Sequence, residues 1–489
     1  MRVPAGSRPR AAISACAVAG LIFLSASPAV EMLGAQSAAT LSSDARDFVS
    51  VSDPVVVLSH VTVIDGTGAP PRQDQTIVIR DGRIADVGAA SGVAAPAGAH
   101  VMDLTGKTVI PGIVGMHDHL FYQAAGGREA GLAFSGPRLY LGSGVTTIRT
   151  TGTTAPYADI NTKHAVDAGT IPGPRIHITA PYITGPANGG DMAVLASPEA
   201  ARRFVAYWVA EGATWIKAYT DIRRAELGAA ITEAHRLGIK VTGHLCSVSY
   251  RDAVDLGIDN LEHGFLTSED FDPQHKPDIC PAGSFFRVGV ANATGDTAHA
   301  VIKKMVDHKV PMTSTLAVLE PFFPHRPVTD QRTLETMAPE VRTAYLAMRA
   351  HIDSGGTWPF TSEMLKNAMA FEKAFVDAGG TLAAGVDPTG IGGALPGFGD
   401  QRNYELLTEA GFTPSQVVQI MTANGAKILG VYDKLGSVER GKLADLVVLD
   451  GNLSADPATI HKVTVVFKDG VGYDSPKLIA STKGRVGID

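Results

Sequence analysis

Short β-branched runs fill residues 54–112: Val55-Val56-Val57-Leu58, His60-Val61-Thr62-Val63-Ile64, Gln75-Thr76-Ile77-Val78-Ile79 and Arg83-Ile84-Ala85-Asp86-Val87. Asp65-Gly66, Asp81-Gly82 and Ala97-Gly98 supply turns, and no amphipathic helix fits there. From residue 113 the period changes. Apolar runs now alternate with helical stretches of ten or more residues, the pattern of parallel βαβ units. It predicts eight strands: Ile113–His119, Thr146–Thr150, Arg175–Ala180, Trp215–Tyr219, Lys240–Leu245, Asn260–His263, Val310–Leu316 and Thr381–Asp387. Ser197-Pro198 starts one intervening helix as N-cap and N1. Thr413-Pro414-Ser415-Gln416 starts another as a capping box. Gly238 occupies a helix stop position. The tail returns to strands at Lys442–Leu449 and Lys462–Phe467.

These elements predict an α/β fold: a (β/α)8 TIM-type barrel over 113–427, with a small β-sandwich domain built from both ends of the chain, 54–112 plus 428–489. The connections after strands six and seven are long, about 265–309 and 317–380. Long βα loops lie on the catalytic face of a barrel, so they are expected to shape the substrate pocket or a lid. The stretches around Phe322 and Gly397 are candidates to line it.

Composition narrows the class. The chain has 489 residues, 45% hydrophobic and 19% charged, with a net charge of −7. Nothing here favours nucleic acid or an anionic membrane. Arg2, Arg8 and Arg10 precede an apolar run, Ala11–Ser25, and Ser27-Pro28-Ala29 offers small residues for cleavage. This is the layout of a secretory signal peptide over 1–29, with 30–53 read as a linker. The apolar run is short of the ~20 residues that span a bilayer, so export without a stable membrane span is expected. Past the leader, Cys246 and Cys280 remain. Two free buried thiols are expected, although one bridge can form.

The candidate chemistry sits at strand ends. His117 and His119 are two apart, so on a strand both face the barrel interior. His244 and His263 end strands five and six. Imidazole suits zinc, nickel or iron. Lys217, within Trp215-Ile216-Lys217-Ala218-Tyr219, shares a face with Trp215 and Tyr219, and burying a lysine is costly. Reaction with carbon dioxide would turn it into a carbamate, an anionic ligand able to bridge two cations. Asp387 either caps a helix ahead of Pro388 or binds a cation and takes a proton from bound water. Cys246 shares a face with His244 and is read as a small buried hydrophobe in preference to a ligand. Tyr219 can pack or hydrogen-bond a developing oxyanion. Arg149 can bind a substrate carboxylate or pair with a neighbouring acid.

Taken together, GKTVIPGIVGMHDHL, GVTTIR, WIKAY, VTGHL, NLEHG, LAAGVDP, TANGAKILG and GSVERGKLADLVVLDGNL resemble the amidohydrolase superfamily, in the branch of imidazolonepropionase-like and prolidase-like hydrolases. The resemblance spans nearly the whole chain past the leader. It implies His117 and His119 on one metal, His244 and His263 on a second, a carboxylated Lys217 bridging both, and Asp387 as ligand and acid/base. Two stretches depart from the pattern. Arg149-Thr150 stands where relatives often carry Arg-Asp. The loop Gly185–Asp191 lacks the Gly-Gly-His of prolidase-like relatives. Both bear on the substrate and leave the metal residues intact.

The expected function is an exported metal-dependent amidohydrolase that cleaves a dipeptide of the Xaa-Pro type or an N-acyl amino acid through a hydroxide bridging two divalent ions, with zinc the expected metal. The alternatives are a cyclic amide, lactone or ester hydrolase, and a catalytically silent metal-binding protein. A nucleobase deaminase fits less well, because no Glu follows His244 closely and Lys217 is present. The expected partner is a small-molecule substrate, and a homo-oligomer is compatible with the sequence.

Overall fold

Eight parallel strand segments ring the centre of the computed structural model: Ile113–Asp118, Val145–Thr150, Arg175–His177 continuing as Thr179–Thr184, Trp215–Ala218, Lys240–Gly243, Asn260–Glu262, Met312–Ser314 and Leu382–Ala384. The structure describes residues 38–488 apart from 125–126, 128, 188–189, 328 and 356–357. The expected signal peptide lies outside these residues. Each strand pairs in parallel with the next, from Thr147 against Arg175 round to Thr313 against Ala383. The first and second strands also pair. The ring closes where the Asp387 amide donates to the His117 carbonyl at 2.8 Å. Continuous apolar runs such as Ile113-Val114 and Leu382-Ala383 are what a strand buried on both faces requires.

Every strand predicted for the barrel is present, although the hydrogen-bonded part is often shorter. Strand eight is regular only over Leu382–Ala384, and the chain then turns toward Asp387, which has φ +48°. The helix starts follow the expected chemistry. Ser197 Oγ accepts from the Ala200 amide at 3.2 Å, Thr413 and Gln416 form the reciprocal box, and Gly238 stops its helix at φ +78°. The long connections carry helices of their own, including Ser284–Gly289, Asp296–Asp307, Pro339–Asp353 and Ser362–Asp377.

Both chain ends meet in one hydrogen-bonded sheet of nine strands. Leu446–Leu449 from the tail pairs antiparallel with Thr108–Pro111 from the front block. Val56, Leu58, Ile77, Ile79, Leu446, Val448 and Phe467 fill a core on one side of this sheet, while Val447 and Leu449 join the barrel's core on the other. Arg175 bridges the two bodies. Its guanidinium donates to Asp445 at 2.9 Å and to Asp469 at 2.7 Å, all three side chains being buried.

Two expectations are corrected. The segment read as a linker is ordered from residue 38 onward. Ser42 caps the helix Ser43–Arg46, and Val49–Val51 adds an edge strand against Val471–Asp474. The small polar composition hid three anchors, Leu41, Ala45 and Val51, which are buried. The cysteines are joined: Cys246 and Cys280 form a disulfide with Cα atoms 5.0 Å apart, across a sequence separation of 34. That pairing also removes Cys246 as a ligand, because its sulfur is already bonded. Among the described residues, no helix is long and apolar enough to cross a membrane.

Candidate metal centre

Six side chains from the first, fourth, fifth, sixth and eighth strands line one cavity of about 500 Å³: His117, His119, Lys217, His244, His263 and Asp387. The carboxylate of Asp387 lies among three of the imidazoles. Oδ1 lies 3.4 Å from His119 Nε2, and Oδ2 lies 3.6 Å from His117 Nε2 and 3.8 Å from His263 Nδ1. One ligand atom each from His117, His263 and Asp387 falls within 4.8 Å of the others, close enough to share a cation. The ring of His244 sits 4.4 Å from that of His263.

In three of the four imidazoles Nδ1 is already engaged. His117 Nδ1–H donates to Glu262 Oε2 at 2.7 Å, and His119 Nδ1–H donates to the Gly152 carbonyl at 3.0 Å. His263 Nδ1 lies 2.8 Å from the Thr315 hydroxyl oxygen. For His117 and His119 the partner is a pure acceptor, which selects the tautomer that offers Nε2 as a lone pair, as metal-bound histidines are normally held. Burial pulls His117 down to about 4 and His244 down to about 3, and Lys217 adds to both effects. His117 and His244 are therefore neutral, the form that ligates.

Lys217 is 1% exposed, and its Nζ has no hydrogen-bond partner among the described residues. Burial pulls its pKa down to about 8, with Glu262 and Asp387 opposing. A buried amine without a partner is costly. Imidazole nitrogens and one carboxylate, meeting at His117, His263 and Asp387, are a donor set that fits a divalent ion.

His263 and Asp387 both hold left-handed backbone, at φ +65° and +48°. Such strain persists only where the surroundings fix it, and it clusters at functional sites. The buried Asp118, between the two histidines, accepts from the Val386 amide at 3.1 Å and so pins the turn that aims Asp387.

Tyr219 lines the cavity with its ring 4.7 Å from that of His244, and burial pushes its hydroxyl up to about 12. Arg149 does not line it. The guanidinium is completely buried, donates to Glu262 at 2.5 Å and to the Met116 carbonyl, and lies over the Trp215 ring at 4.5 Å. Of its two candidate roles, the structure gives the pairing one and corrects the substrate-binding one. Phe322 lines the cavity, whereas Gly397 heads the helix Phe398–Glu409 against Leu139 and Ser143.

Sequence reasoning passed over Glu262. Its carboxylate accepts from His117, Arg149, Asn260 at 2.9 Å and the Thr242 hydroxyl. Burial raises its pKa, but Arg149, Lys217 and His117 together hold it well below the usual carboxylate range. The signal was available: an acid inside a buried strand, next to His263.

With this geometry in place, the comparisons with known proteins are specific. The Amidohydrolase family model matches residues 108–472. A putative prolidase from Bifidobacterium longum is 25% identical and superposes with a TM-score of 0.62, covering 88% of this chain and 98% of its own. A Xaa-Pro dipeptidase solved with bound methionine is 22% identical, with a TM-score of 0.63 over 86% of this chain and 100% of its own. An S-triazine hydrolase from Gordonia rubripertincta is 27% identical over 127 residues, which is 24% of this chain and 27% of that relative. The chain belongs to the amidohydrolase family, a family of metal-dependent hydrolases. The solved neighbours include prolidase-like amidohydrolases.

Proposed function

We propose that this chain is an exported amidohydrolase that cleaves the amide of a small substrate, a dipeptide of the Xaa-Pro type or an N-acyl amino acid. The observation that carries this reading is the convergence of all six candidate ligands on one cavity, with three imidazoles oriented from behind. His117, His119, His244, His263, Asp387 and a carbamate on Lys217 would together hold two divalent cations. When bound, the pair would acidify a water and polarise the substrate carbonyl.

The protein's own residues do the rest. Asp387 takes the proton of the attacking water and returns it to the leaving amine. Thr389, whose hydroxyl donates to Asp387 Oδ1 at 2.8 Å, keeps that carboxylate aimed. Tyr219 donates a hydrogen bond to the carbonyl oxygen as charge builds on it. Neutral His117 and His244 stay out of the proton traffic, because burial disfavours their charged forms. Export draws support from the Cys246–Cys280 disulfide, which suits an oxidising compartment.

The test is metal analysis beside hydrolysis of a panel of Xaa-Pro dipeptides and N-acyl amino acids. Turnover that disappears on chelation and returns with a divalent metal supports the reading. Stoichiometric metal with no turnover on amides, esters or lactones supports a silent binding protein.

A further inference from the structure

Five phenylalanines line the cavity with the candidate ligands, and four of them, Phe285, Phe286, Phe322 and Phe360, come from the long connections. They arrive from three separate stretches of the two long connections. Phe285 and Phe286 lie on the helix Ser284–Gly289, Phe322 ends the turn Glu320–Phe322, and Phe360 precedes the helix Ser362–Asp377. Phe360 is the hub. Its ring centroid lies 5.5 Å from Phe285, 5.1 Å from Phe286 and 5.0 Å from Phe322. Trp358 stacks against it at 5.3 Å, and the Trp358 indole N–H donates to the Phe322 carbonyl at 2.6 Å.

This wall reaches the chemistry. The Phe322 ring packs so closely on Gly390, three residues past Asp387, that a Cβ at Gly390 would lie 2.9 Å from it. The wall is also held in place from outside. Arg287, on the same helix as Phe285 and Phe286, donates to both oxygens of Asp272 at 2.8 and 2.6 Å. Yet all four rings remain only partly buried, whereas neighbouring Phe323 is fully buried. A clustered apolar surface left open inside a concave site is unfavourable until something covers it. Planar rings at these separations present faces and edges that suit another planar ring.

We infer that the cavity selects amides carrying a large planar apolar group, with Phe360 as the centre of that selection. The inference rests on the amide-hydrolase reading and adds to it the class of substituent. The fixed position of the wall means that little ordering cost is paid when such a group docks.

Matched substrates test it: N-acetyl-L-phenylalanine and phenylacetyl-L-alanine, each against N-acetyl-L-alanine. One aromatic compound at least is expected to exceed the methyl compound in kcat/KM by about 50-fold, within the range a hydrophobic pocket achieves for added apolar bulk. In Phe360→Ala that ratio falls below about fivefold, and Phe360→Leu, which keeps apolar bulk without a ring face, gives an intermediate ratio. A binding arm uses calorimetry on the Asp387→Asn enzyme. There the preferred aromatic compound binds about tenfold or more tighter than the methyl one, and Phe360→Ala removes the margin. Equal binding of the aromatic and methyl compounds, or a margin that survives Phe360→Ala, overturns the inference. Selective aromatic binding without hydrolysis of any compound leaves the aromatic selection standing and removes the amide reading.

Discussion

His117 donates through Nδ1 to Glu262 across 2.7 Å, and the other oxygen of the same carboxylate receives Arg149 at 2.5 Å. One buried acid thus fixes a candidate metal ligand and neutralises the guanidinium behind it. The residues are 145 positions apart for the histidine pair and 113 for the arginine pair.

Glu262→Gln should therefore weaken the metal site and the fold together. Glutamine can still accept from His117, but it brings no charge to Arg149 and must turn an N–H toward one of the donors. Metal affinity is expected to fall about 10–100-fold, the usual cost of losing a partner behind a metal-bound histidine. Stability should fall by about 3–5 kcal/mol because Arg149 is left as a buried unpaired charge. Competition with a chromophoric chelator reads the first effect, and denaturant midpoints read the second. Unchanged affinity would remove Glu262 from any role at the centre.

Arg175 offers a test of how the two bodies hold together. Arg175→Met takes the paired guanidinium from buried Asp445 and leaves Asp469 with only the Lys468 ammonium, 3.6 Å away. A loss of about 3–5 kcal/mol is expected. The double change that also replaces Asp445 by Asn should recover part of it. No loss in the single variant would mean that the packing of Val447 and Leu449 suffices.

The disulfide joins the segment that follows His244 to the segment that leads into Phe285 and Phe286. Removing it with Cys246→Ser and Cys280→Ser is expected to cost about 2–4 kcal/mol, as for a loop of this length. KM should rise more than kcat falls, because the aromatic wall loosens while the ligands stay on their strands. Steady-state kinetics on the best amide substrate checks this. A fall in kcat alone would contradict it.

Glu372 gives the pH dependence a sign. It is completely buried, accepts from the Ser314 hydroxyl at 2.9 Å, and leaves Oε1 without a hydrogen bond among the described residues. Burial pushes its carboxyl from 4.5 up to about 8, against the pull of Ser314. The folded state therefore favours the protonated form. Its contribution is full below pH 4.5, declines as pH rises, and is lost above about 8. Glu372→Gln should gain little at pH 4 and a few kcal/mol at pH 9, seen as a rising gap between urea midpoints. A gap that does not change with pH would show that Glu372 does not titrate in this window.

Strand ends were legible because an apolar run followed by a polar ligand is a local pattern. Alternation alone put His117 with His119, and Lys217 with Tyr219, on single faces. Glu262 was harder, because its partners come from strands far away in sequence and its own neighbour His263 drew the functional reading. The cysteine pair stayed hidden for the same reason: a sequence separation of 34 says nothing of Cα atoms 5.0 Å apart. The ordered stretch at 38–53 was masked by small residues, since only Leu41, Ala45 and Val51 carry its burial. The aromatic wall required three loop segments to meet at Phe360, which no periodicity encodes.

Metal stoichiometry of the wild type beside Lys217→Ala, measured by mass spectrometry after removal of loose ions, bears most directly on the proposed binuclear centre. Two divalent ions per chain in the wild type, a sharp loss in Lys217→Ala, and partial return of metal and activity with a short carboxylate are the expected results. Equal metal content in the two proteins, or a single ion per wild-type chain at saturating metal, would contradict a lysine-bridged pair.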